Sequence, residues 1–266
     1  MVEGGPRVPP GVRPAGVGPA DDDDDETRFL ARYDIHAYPR PSLAVDVALL
    51  TVAEKAVHAL LVRRGRQPHR GRWALPGGFV RPGESPEDTV TRVLRAKAGL
   101  EDVYTAQLAT LGAPDRDPRG WVVSVAHYAL VPADRLLSGL AAGGDVVLAR
   151  LALHDEGPDD GRASASGSGG ELALAFDHAE ILGRAIERIR GRLWYAPDAL
   201  ELMPAEFTLL DLQEAYEAIL GRRTDKNSFR RRILASGLVA RVGRRREGLP
   251  VRPAELYRFE RPVRDA

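Results

Sequence analysis

The chain has 266 residues, 44% of them hydrophobic and 29% charged, with 38 basic side chains balanced by 38 acidic ones; this is the composition of an ordinary globular protein of one or two domains, each large enough for its own core. It has no cysteine, which excludes disulfides, thiolate nucleophiles and cysteine zinc sites. No run approaches the roughly 20 apolar residues of a membrane helix and no charged segment leads into an apolar core near the start, so the sequence implies a cytoplasmic chain with no membrane partner.

The neutral total hides a partition of charge. From Lys226 to Arg258 the bases Lys226, Arg230, Arg231, Arg232, Arg241, Arg244, Arg245, Arg246, Arg252 and Arg258 face only Glu247 and Glu255. Near the N-terminus the balance reverses, with Glu3, Asp21 to Asp25 and Glu26 against Arg7 and Arg13. A basic block inside a neutral chain points to a local anionic partner.

Residues 1–28 are Pro/Gly-rich and then acidic, cannot bury a core, and are expected to form a disordered tail. Two apolar runs between Ser42 and Val62 flank Glu54-Lys55, the pattern of two strands and a tight turn. After the turn-rich stretch Gly71–Val80, Ser85 reads as an N-cap with Pro86 in the first turn and Asp88 three residues on. Val90, Val93 and Leu94 supply a helical stripe and Gly99 the stop. Strand-like runs follow at 103–111 and 121–130. Residues 155–171 are low-complexity and read as a flexible loop. Asp177-His178-Ala179-Glu180 reads as a capping box for a helix with Ile181, Leu182, Ala185, Ile186 and Ile189 on one face. Residues 193–206 read as a linker.

The last sixty residues have another grammar. Thr208 caps a helix that turns Leu209, Leu212 and Tyr216 inward and ends at Gly221. Asp225 caps a second, from Lys226 to Ala235, with Phe229, Ile233 and Leu234 as its buried stripe and Gly237 as its stop. Short strands at 238–242 and 254–259 flank the loop GRRREGLPVRP. Helix, turn, helix and a two-stranded wing is the order of a winged helix-turn-helix.

Two constellations carry chemistry. In the first, Gly78 is followed six residues later by Glu84, eight after that by Arg92, and then by Gly99-Leu100. This spacing resembles a Nudix box, in which three further glutamates stand where this chain has Val93, Ala96 and Lys97. Positions related as i, i+3 and i+4 share an arc of about 100° on a helix. In active Nudix enzymes the carboxylates there hold divalent cations against a pyrophosphate. Valine and alanine offer no oxygen, and Lys97 puts a cation where magnesium would sit. Two unit charges about 4 Å apart at an effective dielectric of about 20 interact by about 4 kcal/mol. Glu84 alone makes a poor magnesium site, and Glu87 and Asp88 are accounted for by the helix start. The expectation is no catalytic residue and no metal site. The rival reading is a Nudix hydrolase of the ADP-ribose pyrophosphatase type, using Glu84, Glu87 and acids elsewhere.

The loop Arg72–Val80 is similar to the one that leads into the box in Nudix proteins acting on ADP-ribose, and its glycines let backbone amides approach phosphate. Arg72, Trp73, Gly77, Gly78, Phe79 and Glu84 are therefore the candidate ligand residues, with Trp73 either packed in the core or flanking the ligand. In the second constellation Lys226, Asn227, Arg230 and Arg231 fall on the outer side of their helix, where asparagine can pair with adenine and arginine with guanine or phosphate. Arg232 lies at the edge, and Arg244, Arg245 and Arg246 of the wing suit phosphate or minor-groove contact. A solvated basic face is the plainer alternative.

From Arg32 to Phe259 the chain resembles the Nudix-related transcriptional regulators of NAD metabolism. The likeness lies in Arg32-Tyr33-Asp34, Tyr38 to Ser42, Trp73 to Val80, Leu174 to Ile181, Glu206 to Gly221 and Asp225 to Gly237. It implies an α/β fold, a Nudix-like α/β/α sandwich with a mixed sheet over residues 29–192, joined to an α+β winged helix at 207–262. It further implies a homodimeric repressor of NAD biosynthesis or salvage genes that binds a double-stranded operator and takes ADP-ribose or a related nucleotide as effector, with no cofactor. The N-terminal tail and the 155–171 insertion depart from the family pattern.

Overall fold

The computed structural model describes residues 22–139, 145–154, 161–194, 197–246 and 254–260. The described residues up to Arg40 belong to a unit separate from the rest of the chain. Its described part is α1 (Asp22–Arg32) and a 3-10 turn (Ile35–Ala37) capped by the Asp34 carboxylate, which accepts the His36 N–H at 2.8 Å. The helix corrects the expected disorder for residues 22–28. Its acids occupy the N-terminal turns and Arg32 the last, the polarity that a helix dipole favours. Residues 1–21 lie outside the described residues.

The second unit, Pro41–Ala266, begins with the expected hairpin. β1 (Ser42–Ala53) and β2 (Ala56–Arg63) pair antiparallel across Glu54 and Lys55, whose φ angles of 49° and 60° make the left-handed pair of a tight two-residue turn. β3 (Trp73–Ala74) pairs with β2, and β4 (Gly77–Phe79) with β1. β5 (Tyr104–Leu111), β6 (Val122–Leu130), β7 (Val146–Leu153), β8 (Ala163–Gly167) and β9 (Gly170–Glu171) complete a mixed sheet ordered β5-β6-β1-β2-β7-β8-β9, with β1 and β6 parallel.

Alternation along β1 builds the layers. Val45, Val47 and Leu49 join Val90, Val93 and Leu94 of α2 (Pro86–Ala98) and Leu136 of α3 (Ala133–Gly139). Ala48 and Leu50 join Ile181, Leu182, Ala185, Ile186 and Ile189 of α4 (His178–Arg192) on the opposite face. This is the expected α/β/α sandwich. The start of α2 follows its sequence signature: Ser85 Oγ accepts the Asp88 N–H, Asp88 returns a bond from the Ser85 N–H, and Gly99 closes the helix at φ 64°.

Residues 161–171 are ordered, against the flexible loop expected for 155–171; 155–160 lie outside the described residues. Ala163 and Ala165 alternate inward at 2% and 1% exposure while β8 pairs with β7. An alternation written in small residues leaves little hydrophobic signal. Small residues are needed here: a Cβ at Gly183 would sit 2.0 Å from the Gly161 carbonyl oxygen.

The stretch 193–206 is not a linker either. Its 3-10 helix (Pro197–Leu202) buries Ala199, Leu200 and Leu202, and with Leu193 and Met203 these run continuously into the core of the last domain. That domain comprises β10 (Phe207–Thr208), α5 (Leu209–Leu220), α6 (Lys226–Ala235), β11 (Val239–Arg246) and β12 (Ala254–Phe259), its sheet ordered β10-β12-β11. Thr208 and Asp211 form the capping box of α5 and Asp225 caps α6. Leu234, expected in the buried stripe, is 38% exposed, because the i, i+4 pair Phe229 and Ile233 already fills the inward face. Arg244 to Arg246, expected in a loop, lie within β11 beyond a register shift, with Gly243 at φ 77°. Residues 247–253, including Arg252, lie outside the described residues.

Candidate functional site

Beside β1 lies a cavity of about 190 Å³ lined by Asp46, Gly77, Gly78, Phe79, Arg116, Asp117, Arg119, Phe176 and His178, with Arg64 at its edge. Its floor is a buried charge cluster. Asp46 comes from the interior of β1, where a lone carboxylate among apolar residues must be paired. Arg116, only 5% exposed, grips both oxygens of Asp177 at 2.8 Å and reaches Asp46 at 3.2 Å, while Ser124 Oγ donates to Asp46 at 2.7 Å. His178 Nδ1 accepts the Leu75 N–H at 2.9 Å, so the ring proton resides on Nε2, which faces Asp46 at 3.4 Å. Burial alone would raise the Asp46 carboxyl, but His178, Ser124 and Arg116 outweigh it and hold the group at about 2.

The rim is cationic and aromatic. Arg119 pairs with Asp117 at 2.6 Å and lies 5.0 Å from the Phe79 ring centre; Arg64 lies 4.6 Å from that of Phe176. Hydrogen bonds from Arg119 hold Asp117 below the usual carboxylate range despite burial. The arrangement offers a flat ring and spare guanidinium donors to a ligand that is part aromatic and part anionic.

Of the sequence-derived ligand candidates, Gly77, Gly78 and Phe79 line this cavity and the other three do not. Arg72 is exposed away from it. Trp73 is tied by its backbone to Ala173 and Ala175 at 2.9 and 2.8 Å and packs against the core. Glu84 is consumed by the box itself: Arg92 donates two bonds at 2.8 Å, Thr89 Oγ1 one at 2.9 Å and the Arg81 N–H one at 3.3 Å. The Arg92 bonds, led by the guanidinium, pull its carboxyl down to about 2. Gly77 is required by packing, since a Cβ there would meet Asp46 Oδ1 at 2.6 Å and the Val45 carbonyl at 2.8 Å. Asp177, expected as a capping side chain, makes no cap bond because Arg116 takes its carboxylate.

The box helix does not fit a divalent cation. Val93 is 3% exposed and belongs to the core beneath Gly78, while Ala96 and Lys97 face solvent. With Glu84 spent on Arg92, that face offers no carboxylate for a metal, and the described residues contain no group of three or more His, Asp or Glu side chains able to hold one.

Helix α4 runs from this cavity to the last domain. Its fifteen residues span about 22 Å. Asp177 and His178 stand at its start. At its end Arg190 Nε donates to the Ile219 carbonyl at 2.7 Å, and Trp194 packs edge-on to Tyr216 and Phe229 at 5.1 and 6.1 Å between ring centres. Arg232 of α6 lies 4.1 Å over the Trp194 ring.

That contact occupies Arg232, which the sequence had placed at the edge of the DNA candidates. Lys226, Asn227, Arg230, Arg231 and Arg245 are exposed and form no ion pair among the described residues. Arg246 instead binds Asp211 at 2.8 Å and Arg244 pairs with Glu206, so both fasten the wing to the start of α5. Glu217 fixes the turn before α6 by accepting from Thr224 N–H at 2.8 Å, Thr224 Oγ1 at 3.0 Å and Gln213 Nε2 at 2.9 Å.

A Nudix-type sheet with a charged cavity beside β1, continuous through its core with a basic winged helix, defines the class as a two-domain regulator. Residues 40–156 match the NUDIX domain family and residues 199–259 the NrtR DNA-binding winged helix domain. The chain is 35% identical over 236 residues, 88% of either chain, to the ADPR responsive transcriptional repressor NtrR of Acinetobacter baylyi. It is also similar to Shewanella oneidensis NrtR complexed with a 27mer DNA (TM-score 0.69, 32% identity, covering 82% of this chain and 93% of that one). An ADP-ribose pyrophosphatase of Methanocaldococcus jannaschii is 38% identical over 155 residues, 58% of this chain and 78% of that enzyme. The chain belongs to the NrtR family of Nudix-related transcriptional regulators. No described helix is long and apolar enough to cross a membrane.

Proposed function

We propose that the chain is a DNA-binding repressor of NAD biosynthesis or salvage genes, acting in the cytoplasm as a homodimer, and that ADP-ribose or a related NAD-derived nucleotide is its effector. The observation that carries this reading is the pairing, in one continuous core, of a charged cavity walled by Phe79, Arg116 and Arg119 with an outward row of Lys226, Asn227, Arg230 and Arg231. The repressor of A. baylyi, similar over most of its length, supports both halves.

The same reading makes the sensor domain a binder and not a hydrolase. A pyrophosphate hydrolase of this fold needs carboxylates on the box helix to place its metal ions, and here Val93 is core, Ala96 bare and Lys97 cationic. An effector changes DNA affinity only through unequal affinity for two states of the protein. A ligand that engages Arg116 competes with Asp177 at the start of α4, and α4 carries that change to Trp194, which packs against Phe229 and Arg232 of the recognition helix. The test is a gel shift on DNA upstream of NAD-biosynthetic genes with and without ADP-ribose. A specific shift that the nucleotide weakens is expected; no specific shift at physiological salt overturns the reading.

A further inference from the structure

A groove of about 710 Å³ runs between the sensor sheet and the winged helix and takes Ile186 and Arg190 of α4 into its lining. Its lining gathers six cations, Lys55, Arg150, Arg190, Arg222, Arg223 and Lys226, against two carboxylates, Glu214 and Glu217. Both acids are already engaged: Glu214 by Lys55 at 3.0 Å, Glu217 by Thr224 and Gln213. Arg190 is held by the Ile219 carbonyl. The side chains of Arg150 of β7 and of Arg222 and Arg223, in the turn between the two helices, are exposed and form no ion pair or side-chain hydrogen bond among the described residues, although Arg223 lies within electrostatic reach of Glu217. Three exposed guanidiniums, drawn from two domains, therefore line the groove with Lys226 at the start of the recognition helix, where the cations outnumber the carboxylates.

We propose that this groove takes the phosphodiester backbone of duplex DNA flanking the bases met by α6, so that the sensor domain itself grips DNA through Arg150. The inference rests on the DNA-binding reading above and extends it. The groove is continuous with the exposed face of α6 through Lys226. Its walls carry charge and no exposed aromatic platform, which suits a phosphate track and not a base. A strand of phosphates laid across Arg150 on one domain and Arg222 and Arg223 on the other spans the joint between them, and its affinity depends on how the two domains are set.

The experiment uses the full chain and a duplex selected from a randomised library, carried with long flanks. Arg150→Glu, Arg150→Ala and the double Arg222→Ala/Arg223→Ala variants are compared with the parent across a salt series. Each neutralised arginine is expected to flatten the slope of log affinity on log salt by about 0.9 and to weaken selected and scrambled duplexes alike. Arg150→Glu should lose more than Arg150→Ala, and trimming the flanks should abolish the difference between Arg150→Ala and the parent. Nucleotide affinity, read by calorimetry with ADP-ribose, should be unchanged, which also shows that the variants fold. Variants with the parental slope overturn this inference while leaving the DNA-binding reading intact. Loss of nucleotide binding in a folded Arg150 variant overturns it by assigning the groove to the effector. A parent that binds no duplex ends both.

Discussion

Replacing Arg116 with methionine removes the cation that joins Asp46 to Asp177 and leaves the apolar stem in place. In the parent this guanidinium makes three charge-assisted bonds, two at 2.8 Å and one at 3.2 Å, at 5% exposure. Deleting one partner of a buried ion pair costs about 3–5 kcal/mol, because the remaining charges stay desolvated. The carboxylates of Asp46 and Asp177 are 13% and 16% exposed, so water relieves part of the penalty and the lower end, about 3 kcal/mol, is expected. In a chain of this size that is a fall of about 6–12 °C in Tm. Urea denaturation near neutral pH measures the deficit, and the double variant Arg116→Met/Asp177→Asn checks the cause, since removing the carboxylate that Arg116 grips should return part of the loss. A deficit under about 1 kcal/mol, or one that the second substitution does not relieve, would refute the claim that paired charge organises this cavity.

Further outcomes follow from neighbouring contacts. In the parent, Asp46 at about 2 lies below its ordinary 3.8; it contributes about 2 kcal/mol of stability above pH 4 that is lost as pH falls from about 4 through 2, and Asp46→Asn should flatten that segment of the urea-midpoint profile. Arg230→Ala should cost about 1–3 kcal/mol of sequence-specific DNA affinity, whereas Arg232→Ala should lower stability by about 1 kcal/mol through the lost Trp194 contact and spare sequence discrimination; equal discrimination losses would contradict the assignment of Arg232. Gly77→Ala should destabilise by about 1–3 kcal/mol in thermal melts, since a Cβ 2.6 Å from the Asp46 carboxylate forces β4 off β1.

The strands, the capped helices and the winged-helix order were legible because each rests on local chemistry: Glu54-Lys55 between apolar runs, Ser85 and Thr208 as caps, Gly99 and Gly221 as stops. The cavity was only partly legible. Asp46 sits in the apolar run SLAVDVALL, and a lone charge in a buried strand was a usable signal that a partner existed. Arg116 and Arg119 lie in a charge-rich loop that reads as solvated, and only the fold brings Arg116 across 61 residues to Asp177. Glu84 and Arg92 kept the box spacing for its internal ion pair, so the motif located the loop correctly and misassigned the acid. Arg222 and Arg223 were overlooked because their meaning depends on Arg150, which only the packed domains set beside them.

The central claim is that the nucleotide cavity governs DNA binding without cleaving its ligand. Equilibrium binding of the full chain to a specific duplex, titrated with ADP-ribose in magnesium buffer while release of AMP is followed in the same sample, tests both halves at once. The account predicts a drop in duplex affinity with intact nucleotide throughout. Steady AMP production by pure protein with unchanged duplex binding would contradict it.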